Sequence, residues 1–419
     1  MKQAAFIFII IISAFLLQCD YFFDIERPKV IINEPKENDS LYRNVNISVS
    51  STDNIEISKI EIYLDSILCG IFNSSPCQTQ RSLDTLNKKC VIRARAYDKA
   101  GNWNETKVTF FSLKEERLPS IRLRLIGSYN TPGDCRDVEV VGNYAYIADS
   151  NAFRILNILD PVNPYEIGHL NIVGLIRNVS INNNYAYLAD FLGSLKIINI
   201  SNPASPQLVA QINVGVMNYG VVDVIAEGNY AYCTAYSPDA LYIIDISQPN
   251  NPMIVCHSNA IGTGYTWQIA KSGQYVYALS YLGLRIFNVS VPSSLTETRW
   301  GGSIDNSYGS SFQIKVQHNT LYYSNGDLQI VNIANPTSPI LECSYPVYSY
   351  LFGVAMQDSF IYLSKNDTLF LALKRSNEQP RALTCVRTLS RGYNIAVKDS
   401  YVYLCCGIDG LKIYKREVQ

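Results

Sequence analysis

One alternating segment recurs along the chain, and its spacing predicts a repeat array. In its clearest form a turn is followed by an aromatic-x-aromatic strand, as in Gly142-Asn143-Tyr144-Ala145-Tyr146. Seven such segments begin at positions 144, 185, 230, 275, 321, 360 and 401, so successive copies are 41, 45, 45, 46, 39 and 41 residues apart. Alternation with period two places every second residue on one face of a strand, so the pattern predicts repeated β units.

Each copy carries three further strand segments around the aromatic one. An apolar segment such as 138–141 precedes it, and another such as 195–198 follows it. A turn marked by prolines, for example Pro203 and Pro206, then leads to a more polar fourth segment. Four strands in this period are typical of the blades of a β-propeller.

The ends of the array favour a closed ring over an open solenoid. The seventh copy stops after its third strand, whereas an unassigned strand, 121–128 (IRLRLIGS), precedes the first copy. Pairing the two removes an exposed edge. We therefore expect an all-β chain in which residues 121–419 form a seven-bladed β-propeller closed by strand 121–128.

The repeats resemble the LVIVD-repeat family. The segments "GNYAYIADSNAFRILNILDPVNP" and "NNYAYLADFLGSLKIINISNPASP" follow its pattern closely, and the sixth and seventh copies drift from it. The resemblance implies a propeller on an exported or surface protein, and it implies no defined activity.

Residues 29–114 predict a separate small β-sandwich of short alternating strands. The stretch "IEIYLDSILCG…CVIRARAYDKAGN" resembles bacterial immunoglobulin-like domains, which implies a spacer or adhesion module. The three cysteines Cys69, Cys77 and Cys90 can form at most one internal disulfide, and we expect it between Cys77 and Cys90.

The N-terminus predicts export. Lys2 and the apolar run from Ala4 to Leu17 are typical of a signal peptide over residues 1–18. The run ends at Leu16-Leu17-Gln18-Cys19, which resembles a bacterial lipobox, although Gln18 departs from the usual small residue. We expect lipidation at Cys19, a linker over 19–28, and a lipid-anchored protein of the cell envelope, periplasmic or surface-facing; the alternative is an ordinary cleaved signal.

Composition excludes several classes of function. The 419 residues are 47% hydrophobic and 17% charged with a net charge of −1, so neither wholesale disorder nor a nucleic-acid partner is indicated. His169, His257 and His318 lack metal-binding spacing, and no catalytic or cofactor motif is present. We expect no metal and no cofactor.

In an oxidising compartment Cys135 and Cys406 are a candidate disulfide across the ring closure.

Aligning the copies predicts a polar ring on the innermost strands. Asp137, Asn178, Asp223, Gln268 and Asn394 stand seven residues before their aromatic anchors, where the sixth copy has Gly353. In the fifth copy Gln313 is taken as the equivalent, one place earlier because of a longer turn. These groups either satisfy neighbouring backbone and channel water or hold a small polar ligand or a cation.

Aromatic residues concentrate in the loops at the same end of the predicted blades. The expected aromatic face comprises Tyr219, Tyr265, Trp267, Tyr308 and Tyr350, together with Tyr236, Tyr281, Tyr348, Phe352 and Tyr393. Such residues either pack between blades or stack on sugars and protein hot spots. The sequence therefore favours a binding or interaction protein for an envelope protein or glycan; the alternative is a polysaccharide-acting lyase or hydrolase at the channel mouth, with Asp137 and Asp223 as its acids.

Overall fold

The computed structural model describes residues 24–42, 44–83, 88–113, 120–214, 220–236, 240–258, 266–280, 283–300, 313–324, 326–347, 351–374, 379–388 and 390–419. Throughout these residues the regular secondary structure is β-strand. No helix in the described part of the chain has the length and apolarity needed to span a bilayer. The chain divides into two compact units, one ending at Leu118 and one running from Pro119 to Gln419.

The N-terminal unit contains two sheets. Its strands are β1 (Lys29–Glu34), β2 (Ser40–Tyr42), β3 (Asn44–Thr52), β4 (Ile57–Leu64), β5 (Ile67–Phe72), β6 (Cys77–Ser82), β7 (Lys88–Asp98) and β8 (Trp103–Leu113). One sheet has the order β1-β3-β6 and the other β2-β8-β7-β4-β5. Alternate residues of β3 and β7 face inward, so Ile47, Ile92 and Phe110 meet in one buried core. This burial is the main force holding the unit together.

The C-terminal unit begins with β9 (Ile121–Tyr129), which pairs with the last sheet, and continues with a six-stranded sheet. That sheet is formed by β10 (Cys135–Val141), β11 (Tyr144–Asn157), β12 (Tyr165–Asn182), β13 (Tyr185–Asp190), β14 (Ser194–Asn199) and β15 (Gln207–Asn213). The long strand β12 pairs with β11 through its first half and with β13 through its second half. The six-stranded sheet therefore joins two successive repeat units.

Later copies form separate four-stranded sheets. These strands are β16 (Val221–Glu227), β17 (Tyr230–Ala235), β18 (Ala240–Asp245), β19 (Met253–His257), β20 (Thr266–Ser272), β21 (Tyr275–Ser280), β22 (Gly283–Asn288), β23 (Thr296–Trp300), β24 (Ile314–Gln317), β25 (Thr320–Ser324), β26 (Leu328–Asn332), β27 (Ile340–Tyr345), β28 (Leu351–Gln357), β29 (Phe360–Lys365), β30 (Thr368–Leu373), β31 (Arg381–Arg387), β32 (Ile395–Lys398), β33 (Tyr401–Cys405) and β34 (Leu411–Val418). Each sheet takes four consecutive strands except the last, which has the order β32-β33-β34-β9.

The early strand β9 is the outer strand of the last sheet. It runs antiparallel to β34, with Ile121 opposite Val418 and Tyr129 opposite Leu411. The first strands of successive sheets contact one another, and β32 of the last sheet contacts β10 of the first. The succession of sheets thus returns to its start.

The hydrophobic core of this unit lies between neighbouring sheets. Tyr187, Tyr277 and Tyr362 from the aromatic strands are almost fully buried there. Where the first and last sheets meet, one cluster holds Val138 and Ile147 together with Tyr403. The aromatic-x-aromatic pattern therefore reflects packing of one sheet on the next.

A two-residue turn precedes each aromatic strand and fixes its register. One residue of each turn has a positive φ, which Gly, Asn and Asp adopt most readily. These residues are Gly142, Asn183, Gly228, Gly273, His318, Asp358 and Asp399.

The structure corrects both cysteine pairings expected from the sequence. Cys135 is bonded to Cys405 rather than to Cys406, with 5.1 Å between the Cα atoms. Cys135 pairs with Gly407 in a β-bridge, and the residue two places before Gly407 projects to the same side. That residue is Cys405, whereas Cys406 lies as a buried thiol in a different cluster.

The expected Cys77–Cys90 bond is also wrong. Both residues are free thiols buried in the same core, on β6 and β7 of opposite sheets. Burial raises the pKa of both thiols, so they pack as small apolar side chains.

Candidate functional site

A polar cavity lies among the first strands of the C-terminal sheets. Its volume is about 380 Å³, and β10, β12, β16, β20, β24 and β32 contribute to its wall. Four of the predicted ring residues line it, namely Asp137, Asn178, Asp223 and Asn394. The repeat therefore brings one polar side chain from each of four copies, which lie in three sheets, to the same place.

Asp137 joins three copies of the repeat through its carboxylate. Oδ1 accepts a hydrogen bond from Val138 N at 2.9 Å and a second from Asn394 Nδ2. Oδ2 accepts a hydrogen bond from Val179 N at 2.9 Å. Because Val179 lies on β12 of the same six-stranded sheet and Asn394 lies just before β32 of the last sheet, this one side chain links both of them to β10.

Asp223 and Asn178 repeat the arrangement. Asp223 accepts hydrogen bonds from Val224 N at 2.9 Å and from Ile269 N of the following sheet at 2.8 Å. Asn178 Oδ1 accepts one from Val224 N at 3.2 Å. These bonds satisfy backbone donors that would otherwise be buried without a partner. We call Asp137, Asn178, Asp223 and Asn394 the inner belt.

Gly353 interrupts the belt for a steric reason. A Cβ at this position would lie 2.3 Å from the carbonyl oxygen of Tyr393, so no side chain fits. Ser364 supplies the link instead, because its hydroxyl donates to Tyr393 O at 2.6 Å.

The two glutamines of the predicted ring do not join the belt. Gln268 is half-buried and Gln313 is buried, and neither is part of the cavity wall. Gln313 Oε1 has no hydrogen-bond partner among the described residues. The structure also corrects the alignment of this copy: Thr320 opposes Asn332 as Tyr275 opposes Asn288, so Gln313 stands seven residues before its anchor like the others.

Charged groups in the cavity shift one another's ionisation. Burial raises the pKa of Asp223 to about 7 and that of Glu139 to about 7, and it also raises the pKa of Asp137. The positive charge of Lys315 opposes each shift, while the charge of Asp137 adds to those of Asp223 and Glu139. Burial therefore makes all three acids of the cavity harder to ionise than exposed acids.

Sequence reasoning missed Glu139 and Lys315 as cavity residues. Each stands two positions after a predicted ring residue, Asp137 or Gln313, and strand alternation places such positions on one face. The two-residue alternation of a strand could therefore have identified both residues from the sequence. Glu139 Oε2 accepts a hydrogen bond from Ile181 N at 2.8 Å, which adds a second link between β10 and β12.

A β-bulge precedes the ring position in most sheets. The register shifts between residues 135 and 137, 176 and 178, 221 and 223, 266 and 268, and 351 and 353. In the last sheet two residues, Tyr393 and Asn394, both bond to Cys405. A bulge inserts one extra residue into a strand and changes the direction in which its side chain points. The extra residues include Arg136, Arg177 and Phe352, which sequence reasoning did not group.

Arginines and aromatic rings meet at these bulges. Arg136 lies 4.4 Å from the ring centroid of Tyr393, Arg177 lies 3.7 Å from that of Phe191, and Arg391 lies 4.8 Å from that of Phe352. The rings also contact one another in edge-to-face pairs, Phe191 with Tyr236 and Phe352 with Tyr393. We call these seven residues the arginine–aromatic rim.

Arg177 is the charged centre of the rim. Among the described residues it has no ion-pair partner, whereas Arg136 is paired with Asp134. Burial lowers the pKa of Arg177, and the nearby positive charge of Arg136 lowers it further. A guanidinium held in such surroundings favours an incoming anion.

The predicted aromatic face falls mostly outside the described residues. Trp267 occupies a bulge position in β20, but its side chain is outside the described set. The same holds for the whole of Tyr219, Tyr265, Tyr308 and Tyr350, and for the predicted lipidation site Cys19.

The solved structures similar to the chain include a β-propeller. The β-propeller domain of Cps50 (Swd1) from Myceliophteria thermophila aligns with a TM-score of 0.55 and 11% identity over 70% of this chain and 99% of that one. A functionally unknown protein from Desulfotomaculum acetoxidans DSM 771 aligns with a TM-score of 0.54 and 13% identity over 65% and 92%. At these identities the likeness shows the fold alone. The search of curated proteins found no match.

Family matches cover both units. The LVIVD repeat matches residues 132–171, 174–214, 220–259, 263–299 and 308–347. The bacterial Ig domain matches residues 28–89. The chain is therefore an LVIVD-repeat protein of β-propeller fold with an N-terminal bacterial Ig domain.

Proposed function

We propose that this chain is a non-enzymatic binding protein whose arginine–aromatic rim engages an anionic partner. In this proposal the C-terminal unit is a seven-bladed propeller and the N-terminal unit an immunoglobulin-like sandwich. The closed succession of inner strands and the pairing of β9 with β34 support the blade count. The two facing sheets with one shared core support the sandwich.

The observation that carries the proposal is the composition of the rim. Arginine and large aromatic residues are enriched at interaction hot spots, because they combine apolar area with directional polar contacts. Here bulges at equivalent positions present Arg136, Arg177 and Phe352 at one end of β10, β12 and β28, next to the other rim residues. A structural role in packing alone does not require two neighbouring arginines of which one, Arg177, has no described acidic partner.

The rim fits a partner that combines carboxylates with flat apolar surface. A guanidinium binds a carboxylate with two parallel hydrogen bonds, and an aromatic ring stacks on the apolar face of a sugar or side chain. An acidic glycan or an acidic protein segment of the cell envelope has this chemistry. The charge of the rim favours either over a neutral glycan.

The hydrogen bonding of the cavity weighs against an enzyme. A glycosidase or lyase needs carboxyl groups that reach the substrate and exchange protons with it. Both oxygens of Asp137 and both oxygens of Asp223 accept hydrogen bonds from protein donors, and both residues are about 95% buried or more. The acids that the alternative would use are therefore engaged as structural links.

We further propose that a lipid on Cys19 holds the protein at the envelope and that the Ig domain spaces the propeller from the membrane. The sequence features of the N-terminus support this location. Radiolabelled palmitate incorporated into the native chain but not into a Cys19→Ala variant is the expected result, and labelling of both would contradict it.

A charge-matched comparison tests the rim. The variant Arg136→Ala/Arg177→Ala/Arg391→Ala removes three rim arginines, whereas Arg122→Ala/Arg299→Ala/Arg387→Ala removes three from the outer strands β9, β23 and β31. Pull-downs from envelope extracts and glycan arrays are run with both. We expect the rim variant to lose binding at least tenfold and the outer variant to retain it. Equal binding by the two variants, or no partner for the native protein, would refute the proposal.

A further inference from the structure

Three aspartates converge at one end of the N-terminal unit. Asp24, Asp53 and Asp98 each offer a carboxylate oxygen, and these three oxygens lie within 4.8 Å of one another. The residues come from three separate segments, namely the stretch before β1, the turn after β3 and the end of β7. From this geometry we propose that Asp24, Asp53 and Asp98 form a Ca²⁺ site.

Buried oxygens without partners support the site. Asp98 is only 2% exposed, and its Oδ2 has no hydrogen-bond partner among the described residues. Asp24 Oδ2 is likewise buried and unpartnered. A buried carboxylate oxygen left without a donor is costly, since it has lost water and gained nothing in return. A cation bound between the aspartates removes that cost.

The remaining carboxylate oxygens are held in place by the surrounding turns. Asp98 Oδ1 accepts a hydrogen bond from Asn102 N at 2.8 Å, and Asp53 Oδ2 accepts one from Ile55 N at 3.2 Å. Asn54 donates to Asp24 Oδ1 at 3.2 Å, and Asn102 Nδ2 donates to the Asp24 carbonyl at 2.8 Å. The two asparagines thus orient the ligands in the way that outer partners orient a metal site.

Charge and ligand type select the ion. Among the described residues no lysine or arginine forms an ion pair with any of the three aspartates, and the neighbouring Lys99 pairs with Glu56 instead. All candidate ligands are oxygens, which hard cations prefer to the nitrogen and sulfur ligands of zinc. Two oxygens bound to one Ca²⁺ at about 2.4 Å are up to about 4.8 Å apart. Ca²⁺ also tolerates the irregular geometry of ligands from three loops, with water completing its shell, whereas Mg²⁺ demands a near-ideal octahedron.

Binding would fasten the segment that precedes β1 to the end of the two sheets. Asp24 belongs to that segment, whereas Asp53 lies in the turn after β3 and Asp98 is the last residue of β7. Without the ion, this segment is joined to the turns by a few hydrogen bonds. The ion adds a stronger cross-link. The orientation of the N-terminal segment on the Ig domain becomes dependent on Ca²⁺.

Calorimetric titration of CaCl₂ into chelator-treated full-length protein tests the site. We expect one ion per chain, with a dissociation constant of about 10⁻⁴–10⁻³ M or tighter. Asp98→Asn and Asp24→Asn should each weaken binding at least tenfold. Glu34→Gln, an exposed acid on β1 of the same unit, is the control and should bind as the native protein does.

The variants keep the test decisive. Asp24 lies outside the strands, so Asp24→Asn removes a ligand without disturbing the sheets even if Asp98→Asn fails to fold. Native affinity in Asp24→Asn, or no heat from the native protein, would overturn the proposal. MgCl₂ should bind at least tenfold more weakly, and equal affinity for both ions would overturn the assignment to Ca²⁺. None of these outcomes depends on the rim or its partner.

Discussion

The side-chain amide of Asn394 donates a hydrogen bond to the carboxylate of Asp137, which stands 257 residues earlier in the chain. The bond lies inside the cavity and joins the inner strands of the last and first sheets. It repeats at the closing junction what Asp137, Asn178 and Asp223 do at their own junctions. The inner belt is therefore a set of links between copies of the repeat, and its members occupy one position of the repeat.

A double-mutant cycle measures this closing link. Asp137→Ala leaves the amides of Val138 and Val179 without an acceptor, and each single substitution should cost about 1–3 kcal/mol of unfolding free energy. Asp137→Ala and Asn394→Ala should be coupled by about 0.5–3 kcal/mol in urea denaturation, because they remove one shared bond. Asn182→Ala, whose side chain donates to Gly228 O at the other end of the strands, should be additive with Asp137→Ala. Additivity in both pairs would contradict the link.

The buried acids predict how stability depends on pH. Folding raises the pKa of Asp223 from 3.8 to about 7, so the folded state holds a proton that the unfolded state has released. The resulting stabilisation is fully present below pH 4 and is lost as pH rises through about 7, with a slope of up to about 1.4 kcal/mol per pH unit for this one group.

Asp223→Asn should flatten that slope between pH 5 and 7. Chemical denaturation at a series of pH values measures it. The control is Asp160→Asn, because the pKa of Asp160 is lowered by its hydrogen bonds and it titrates below this window. If Asp223→Asn keeps the slope of unfolding free energy against pH that the native protein shows, the Asp223 carboxyl is not the cause of the pH dependence.

The Cys135–Cys405 bond predicts a strong effect of reduction. It closes a sequence separation of 270 residues, so its removal frees the unfolded chain considerably. Cys405→Ala should lower the unfolding free energy of the C-terminal unit by about 2–5 kcal/mol. Cys406→Ala should leave the cross-link intact in non-reducing peptide mapping. Loss of the cross-link in Cys406→Ala instead would reverse the assignment.

A buried ion pair in the six-stranded sheet predicts that removing one partner costs more stability than removing both. Arg154 Nε lies 2.5 Å from Asp149 Oδ2, and Asp149 is fully buried. Arg154→Met leaves that carboxylate unpaired and should cost about 3–5 kcal/mol. The double variant Asp149→Asn/Arg154→Met removes the charge and should recover most of the loss. A double variant no more stable than the single one would contradict the pairing.

The repeat could be predicted from the sequence in considerable detail. The aromatic strands lie where the spacing indicated, since tyrosines such as Tyr187 and Tyr277 recur with the period at which one sheet packs on the next. The spare strand at 121–128 lacked a partner nearby in sequence, and the structure pairs β9 with β34. The fifth copy was misaligned by one residue because Thr320 replaces the aromatic anchor.

The candidate site was less accessible from the sequence. Counting back from the anchors identified Asp137, Asn178, Asp223 and Asn394, but it could not tell a ligand-binding ring from a belt of backbone acceptors. That distinction depends on which amides of the neighbouring sheet come within hydrogen-bond distance. Arg136 and Arg177 escaped notice because a bulge, which reverses the expected side of a residue, has no fixed sequence signature.

The sequence by itself determined the period, the strand pattern and the positions that face inward, because these follow from alternation and turn chemistry over a few residues. The tertiary structure decided which groups meet. Cys135 is bonded to Cys405 rather than to Cys406, the inner carboxylates accept from backbone amides, and Asp24, Asp53 and Asp98 converge from three separate segments. Those outcomes depend on sub-ångström register between segments far apart in the chain. Local sequence preferences carry no information about such distances.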